Sequence, residues 1–134
     1  MEIKVNTGLV EYDLGGKVTV SFNPTDAVFG KKLYEAVGAL ADLQDEKMPE
    51  GDAKELLIWM MDKDEKGREI IDNLFDKEVC KPLYDTISVF AFADGLPLWA
   101  NLLLAMLDQM NDSTSKQREE AKKRISKYTA KYRK

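Results

Sequence analysis

The sequence predicts an α+β fold, mainly α, in which an N-terminal β-hairpin or small meander packs on four to five helices. Three observations carry this. Apolar and polar residues alternate over residues 1–22, where Ile3 and Val5, then Val18, Val20 and Phe22, flank a Gly15-Gly16 pair. After Asn23-Pro24 the apolar spacing changes to three and four, the helical period. A chain of 134 residues, 44% apolar and 33% charged, has the length and composition of one globular domain.

Each element follows from local chemistry. Gly15-Gly16 supplies positive φ without a Cβ penalty, so a hairpin turn belongs there, and Gly8 offers a second turn for a three-strand meander. Two or three strands do not stand alone in water, so one face must cover helices. Thr25 or Asp26 can cap the orphan N–H groups of a helix over about 26–46, with Phe29, Leu33, Val37, Leu40 and Leu43 on its apolar face. Met48-Pro49-Glu50-Gly51 ends it. A long helix starts near Asp52, with Leu56, Leu57, Met60 and Met61 on one face and Ile71, Leu74 and Phe75 continuing it. Its polar middle, Lys63 to Gly67, is expected to be solvated. Pro82 opens a further helix to about Ala93. Gly95 and Pro97 mark a tight helix–helix turn, and residues 98–107 form a helix apolar all round except at Asn101. Asn111 to Ser115 is a small polar break. The resulting organisation is a globular unit over 1–115, with β structure in 1–22 and helices in 26–110, followed by a basic helical tail over 116–134.

Charge is unevenly placed. Residues 1–115 hold 11 Lys/Arg against 22 Asp/Glu, a net −11, whereas residues 116–134 hold 9 against 2, a net +7. An acidic body with a basic tail suits an acidic partner, nucleic acid, or the body of another copy.

Composition narrows the chemistry. There is no histidine, which removes Ser-His-Asp and Cys-His catalysis and histidine metal sites. Cys80 is the only cysteine, so no internal disulfide forms. Lys77 and Lys81 nearby are cations of the kind that lower a thiol pKa, but there is no histidine base, and a lone cysteine among apolar residues reads as core. Asp62, Asp64 and Gly67 resemble the start of a calcium loop, but Lys66 and Asn73 stand where carboxylates are needed. Carboxylates such as Asp42, Asp45 and Glu46 are those expected on any acidic helix surface. No glycine-rich phosphate loop is present. The sequence therefore predicts no enzyme, no cofactor and no metal. Residues 86–107 carry one charge, Asp94, but Asp94, Gly95 and Pro97 at the centre argue for a buried hairpin over a membrane span. Met1-Glu2-Ile3-Lys4 does not read as a signal peptide, and with the single cysteine it predicts a cytoplasmic protein.

Met60, Met61, Met106 and Met110 lie on apolar helices beside Trp59 and Trp99. Methionine fills cores, and it also suits faces that accept varied segments. The basic tail, with Lys122, Lys123, Arg124, Lys127 and Lys131 interleaved with Tyr128 and Tyr132, reads either as a solvated helix with Ile125, Tyr128 and Tyr132 as a docking stripe or as a nucleic-acid element. The acidic body makes nucleic acid the weaker reading.

A short glycine-containing β segment leads into Phe22-Asn23-Pro24-Thr25-Asp26 and Phe29. Ile71-Asp72-x-x-Phe75, Val79-Cys80-x-x-Leu83-Tyr84 and Gly95-Leu96-Pro97-Leu98-Trp99-x-Asn101-Leu102-Leu103 follow. In order and spacing this resembles the small tail assembly chaperones of siphophages and prophages of Gram-positive bacteria, over nearly the whole chain. Phe75-Asp76 stands where relatives often carry Phe-Gly. The resemblance implies a non-enzymatic role in the bacterial cytoplasm. Such proteins coat the apolar, helical tape measure protein and leave as tail tube subunits polymerise around it. On that reading Trp59, Met60, Leu98, Trp99, Leu103 and Met106 are the expected partner-binding residues. A nucleic-acid-binding regulator using the tail and a self-assembling structural subunit are the alternatives.

Overall fold

The computed structural model describes residues 1–132, with the side chains of residues 128 and 130–132 outside that description. The fold is α+β and mainly helical, as the sequence predicts. Strands β1 (Val10–Leu14) and β2 (Val18–Phe22) pair antiparallel, with Val10 opposite Phe22 and Leu14 opposite Val18. Gly15 and Gly16, at φ 61° and 71°, make the turn, and Asp13 Oδ1 accepts from Gly16 N at 2.9 Å. The meander does not form. Gly8, at φ 74°, turns the chain before β1, and Asn23 Nδ2 donates to Thr7 O at 2.9 Å. Ile3 and Val5 stay exposed, so their alternation has no face to bury.

Helix α1 (Ala27–Gln44) starts at Asp26, whose carboxylate accepts from Val28 N at 2.9 Å. Helix α2 (Ala53–Phe75) is capped in the same way by Asp52 and runs unbroken for 23 residues. It ends on Asp76 in the left-handed region, φ 49° and ψ 42°, the position that favours glycine. Its polar middle is solvated on one side only, at Glu65 and Lys66. Gly67 is buried, and Asp64 and Arg68 are largely covered, because residues 85–90 lie across them.

That segment is the main departure from expectation. The helix from Pro82 to Ala93 is absent. Only α3 (Cys80–Tyr84) is helical, followed by a loop and a small hairpin of β3 (Phe92–Ala93) and β4 (Leu96–Pro97). Asp94 and Gly95 form its two-residue turn, both at positive φ, 55° and 79°. The loop's polar groups are met from α2. Asp64 Oδ1 accepts from Val89 N at 2.8 Å, while Arg68 Nη2 donates to Asp85 O and Ile87 O at 2.7 and 2.8 Å. These bonds replace those a helix would make within itself.

Helix α4 (Leu98–Tyr132) is one element of 35 residues. The break expected at Asn111–Ser115 does not occur. Asn, Asp, Ser and Thr each cost only roughly 0.5 kcal/mol in a helix interior, and no Gly or Pro forces a stop. Among the described residues no helix is long and apolar enough to cross a membrane.

The core lies where β2, α1, α2, the 79–89 segment and the first turns of α4 meet, at Phe22, Leu33, Leu40, Ile71, Val79, Val89, Trp99 and Leu103. An aromatic row, Tyr12–Phe22–Phe29, stacks at centroid distances of 4.6 and 4.5 Å and ties the hairpin to α1.

Candidate partner-binding surfaces

Helix order creates two overhangs at opposite ends. Helix α2 runs antiparallel to α1: Phe29 meets Phe75 at 6.4 Å, and Lys63 Nζ donates to Gln44 O at 3.3 Å. Residues 53–62 of α2 therefore extend beyond the end of α1, by about 15 Å at 1.5 Å per residue. Helix α4 is also antiparallel to α1. Trp99 Nε1 donates to Gln44 Oε1 at 3.2 Å near its start, and the Met110 side chain faces Gly30 near the start of α1. Gln117 still lines a pocket with Asn6, Thr7, Asn23, Pro24 and Thr25, and beyond it α4 leaves the body as an arm of about 22 Å.

The α2 overhang carries six consecutive apolar residues, Leu56-Leu57-Ile58-Trp59-Met60-Met61. A helical turn apolar all round cannot be covered by neighbours on one side. Leu56 and Trp59 are half-buried, with the Lys63 ammonium 5.0 Å from the Trp59 ring and 4.9 Å from the Phe90 ring. Leu57, Ile58, Met60 and Met61 remain 60%, 58%, 51% and 71% exposed. Each such side chain gains roughly 1.5–3 kcal/mol when taken fully out of water.

The expected partner-binding residues separate. Met60 is on this exposed tip, with Trp59 half-buried at its base. Leu98 is half-buried, and Trp99, Leu103 and Met106 are 6%, 0% and 6% exposed. The last three are core of the chain itself, Trp99 packed at the end of α1 and against Val89, and Met106 against the β1–β2 hairpin. Leu57, Ile58 and Met61 lie beside Met60, and the unbroken run of six is the signal that marks them.

The arm presents Lys122, Lys123, Arg124 and Lys127 to solvent, and among the described residues none has a carboxylate within 4.0 Å. Among the described residues of α4, Lys116 is the one cation with an ion pair, to Asp112 at 3.1 Å. The side chain of Lys131 lies outside the described residues. Ile125 is exposed.

The remaining chemical candidates have structural positions. Asp62, Asp64, Lys66, Gly67 and Asn73 all lie within α2 as continuous helix, not in a loop. Asp64 is committed to Val89 N and Arg68, and Asp72 Oδ1 accepts from Val79 N and Cys80 N at 2.9 and 3.0 Å. Burial, and next the Asp72 carboxylate, push the Cys80 thiol up to about 12, so it stays protonated at neutral pH. Burial likewise raises Tyr84 to about 12, while its hydroxyl donates to Leu98 O at 3.2 Å.

No family model matches the chain, and no curated protein or solved structure matches it. The surfaces themselves are therefore the ground for a functional reading.

Proposed function

We propose that this protein is a non-enzymatic binding protein of the tail assembly chaperone kind, acting in the bacterial cytoplasm. It covers apolar helical segments of a tape measure protein with the α2 overhang. The observation that carries the reading is the exposed tip of Leu57, Ile58, Met60 and Met61 on a helix anchored at its other end in the core. An amphipathic partner helix offers an apolar stripe of matching kind, and unbranched methionines adapt to varied side chains. Carboxylates over the body keep such a complex dispersed.

The test is capture of a helical tape measure fragment by wild type and by a Leu57→Asp/Met61→Asp variant of equal folded content. The variant is expected to lose capture while keeping its helical signal. Equal capture by both would refute the assignment. Substituting Trp99 or Met106 tests nothing about binding, because those side chains hold the core.

A further inference from the structure

We propose that the basic arm of one copy docks into an acidic groove between α1 and α2 of a second copy, giving head-to-tail association. This goes beyond the tape measure reading and does not depend on it. The groove has a volume of about 540 Å³. Its apolar lining is Ala39, Leu43 and Ile70, and its acidic lining is Asp42, Glu46 and Glu69. The cation in the groove, Lys66, is tied to Asp62 at 3.1 Å, and among the described residues Asp42, Glu46 and Glu69 have no cationic partner within 4.0 Å.

The arm has the complementary pattern. At 100° per residue, Ala121 and Ile125 share one stripe, with Arg118 and Lys122 along one side of it and Arg124 along the other. An apolar stripe flanked by cations thus meets an apolar groove flanked by carboxylates. Isolated helices of this length are marginal in water, and the arm beyond Gln117 is exposed, so covering Ile125 favours its helical state.

The occupant is a second copy because the arm cannot reach its own groove. Asp42 and Glu46 lie at the Gln44 end of α1, where α4 begins, and α4 is one unbroken helix that leaves at the opposite end. A contact between two different surfaces is heterologous, so it propagates into chains or closes into a ring. The complementary charge is large, −11 on the body and +7 on the tail.

Sedimentation velocity on the full chain tests this with two charge reversals. One is Asp42→Lys/Glu69→Lys in the groove, and the other is Arg118→Glu/Lys122→Glu/Arg124→Glu in the arm. Wild type is expected to associate with rising concentration at low salt, weakening at least about ten-fold at roughly 0.5 M salt through screening. Each reversal alone should stay monomeric, and an equimolar mixture of the two should associate again, since each arm then meets an opposite groove. The near-isosteric Asp42→Asn/Glu69→Gln variant provides a second measure that leaves packing intact, and it should weaken association several-fold. Wild type that stays monomeric at low salt, or association equal to wild type in the Asn/Gln variant, would overturn the proposal. So would salt-sensitive binding of a DNA duplex to the arm by a chain that does not self-associate.

Discussion

Gly67→Ala and Gly38→Ala make the same chemical change in two helices, and the structure gives them opposite signs. Alanine favours a helix interior over glycine by about 1 kcal/mol, and that gain applies at both sites. At Gly38, on the exposed face of α1, no atom outside the local helix lies within 4 Å of an added Cβ. The full gain is expected there. At Gly67 an added Cβ sits 2.8 Å from Phe90 Cε2 and 2.9 Å from Val89 Cγ2. Val89 is fully buried and its N–H is held by Asp64, so it has nowhere to move. Overpacking of this kind costs about 1–3 kcal/mol, and lifting residues 85–90 also strains the bonds from Asp64 and Arg68. The net expectation is a loss of roughly 1–2 kcal/mol for Gly67→Ala, against a gain of about 0.5–1 kcal/mol for Gly38→Ala. Urea unfolding followed by tryptophan fluorescence measures both, with an unchanged denaturant slope as the sign that only native stability has moved. If Gly67→Ala were as stable as Gly38→Ala, residues 85–90 would not rest on α2, and the reasoning would fail.

Two further outcomes follow from burial. Leu103→Ala, in the core, should cost about 2–5 kcal/mol in urea unfolding, whereas Leu57→Ala, on the tip, should change stability by less than about 0.5 kcal/mol. Stability should fall at alkaline pH, because the folded-state thiol of Cys80 is raised from 9.0 to about 12 and the Tyr84 hydroxyl from 10.0 to about 12. Groups raised on folding contribute fully below their unfolded values and lose that contribution as pH rises through the folded ones, so the window is pH 9 to 12. Cys80→Ala should flatten the decline across that window, and an unchanged profile would remove the thiol as its source.

Local chemistry alone determined the β1–β2 hairpin, since alternation and the Gly15-Gly16 pair need no distant partner. It also determined the starts of α1 and α2, because Asp26 and Asp52 cap N–H groups two and three residues away. The 85–97 segment was not legible in that way. Its apolar run and Pro82 read as a helix, yet Arg68 and Asp64, about twenty residues upstream, supply the partners that make a loop stable. The Asp94-Gly95 pair was the local signal for the small hairpin, and Gly95 alone read equally well as a helix end. Tertiary structure also decided which greasy helix faces are core. Residues 56–61 and 98–107 are alike in composition, but α1 ends at Gln44 and covers only the second. Burial depends on which elements end beside which, and single-chain periodicity carries no record of that.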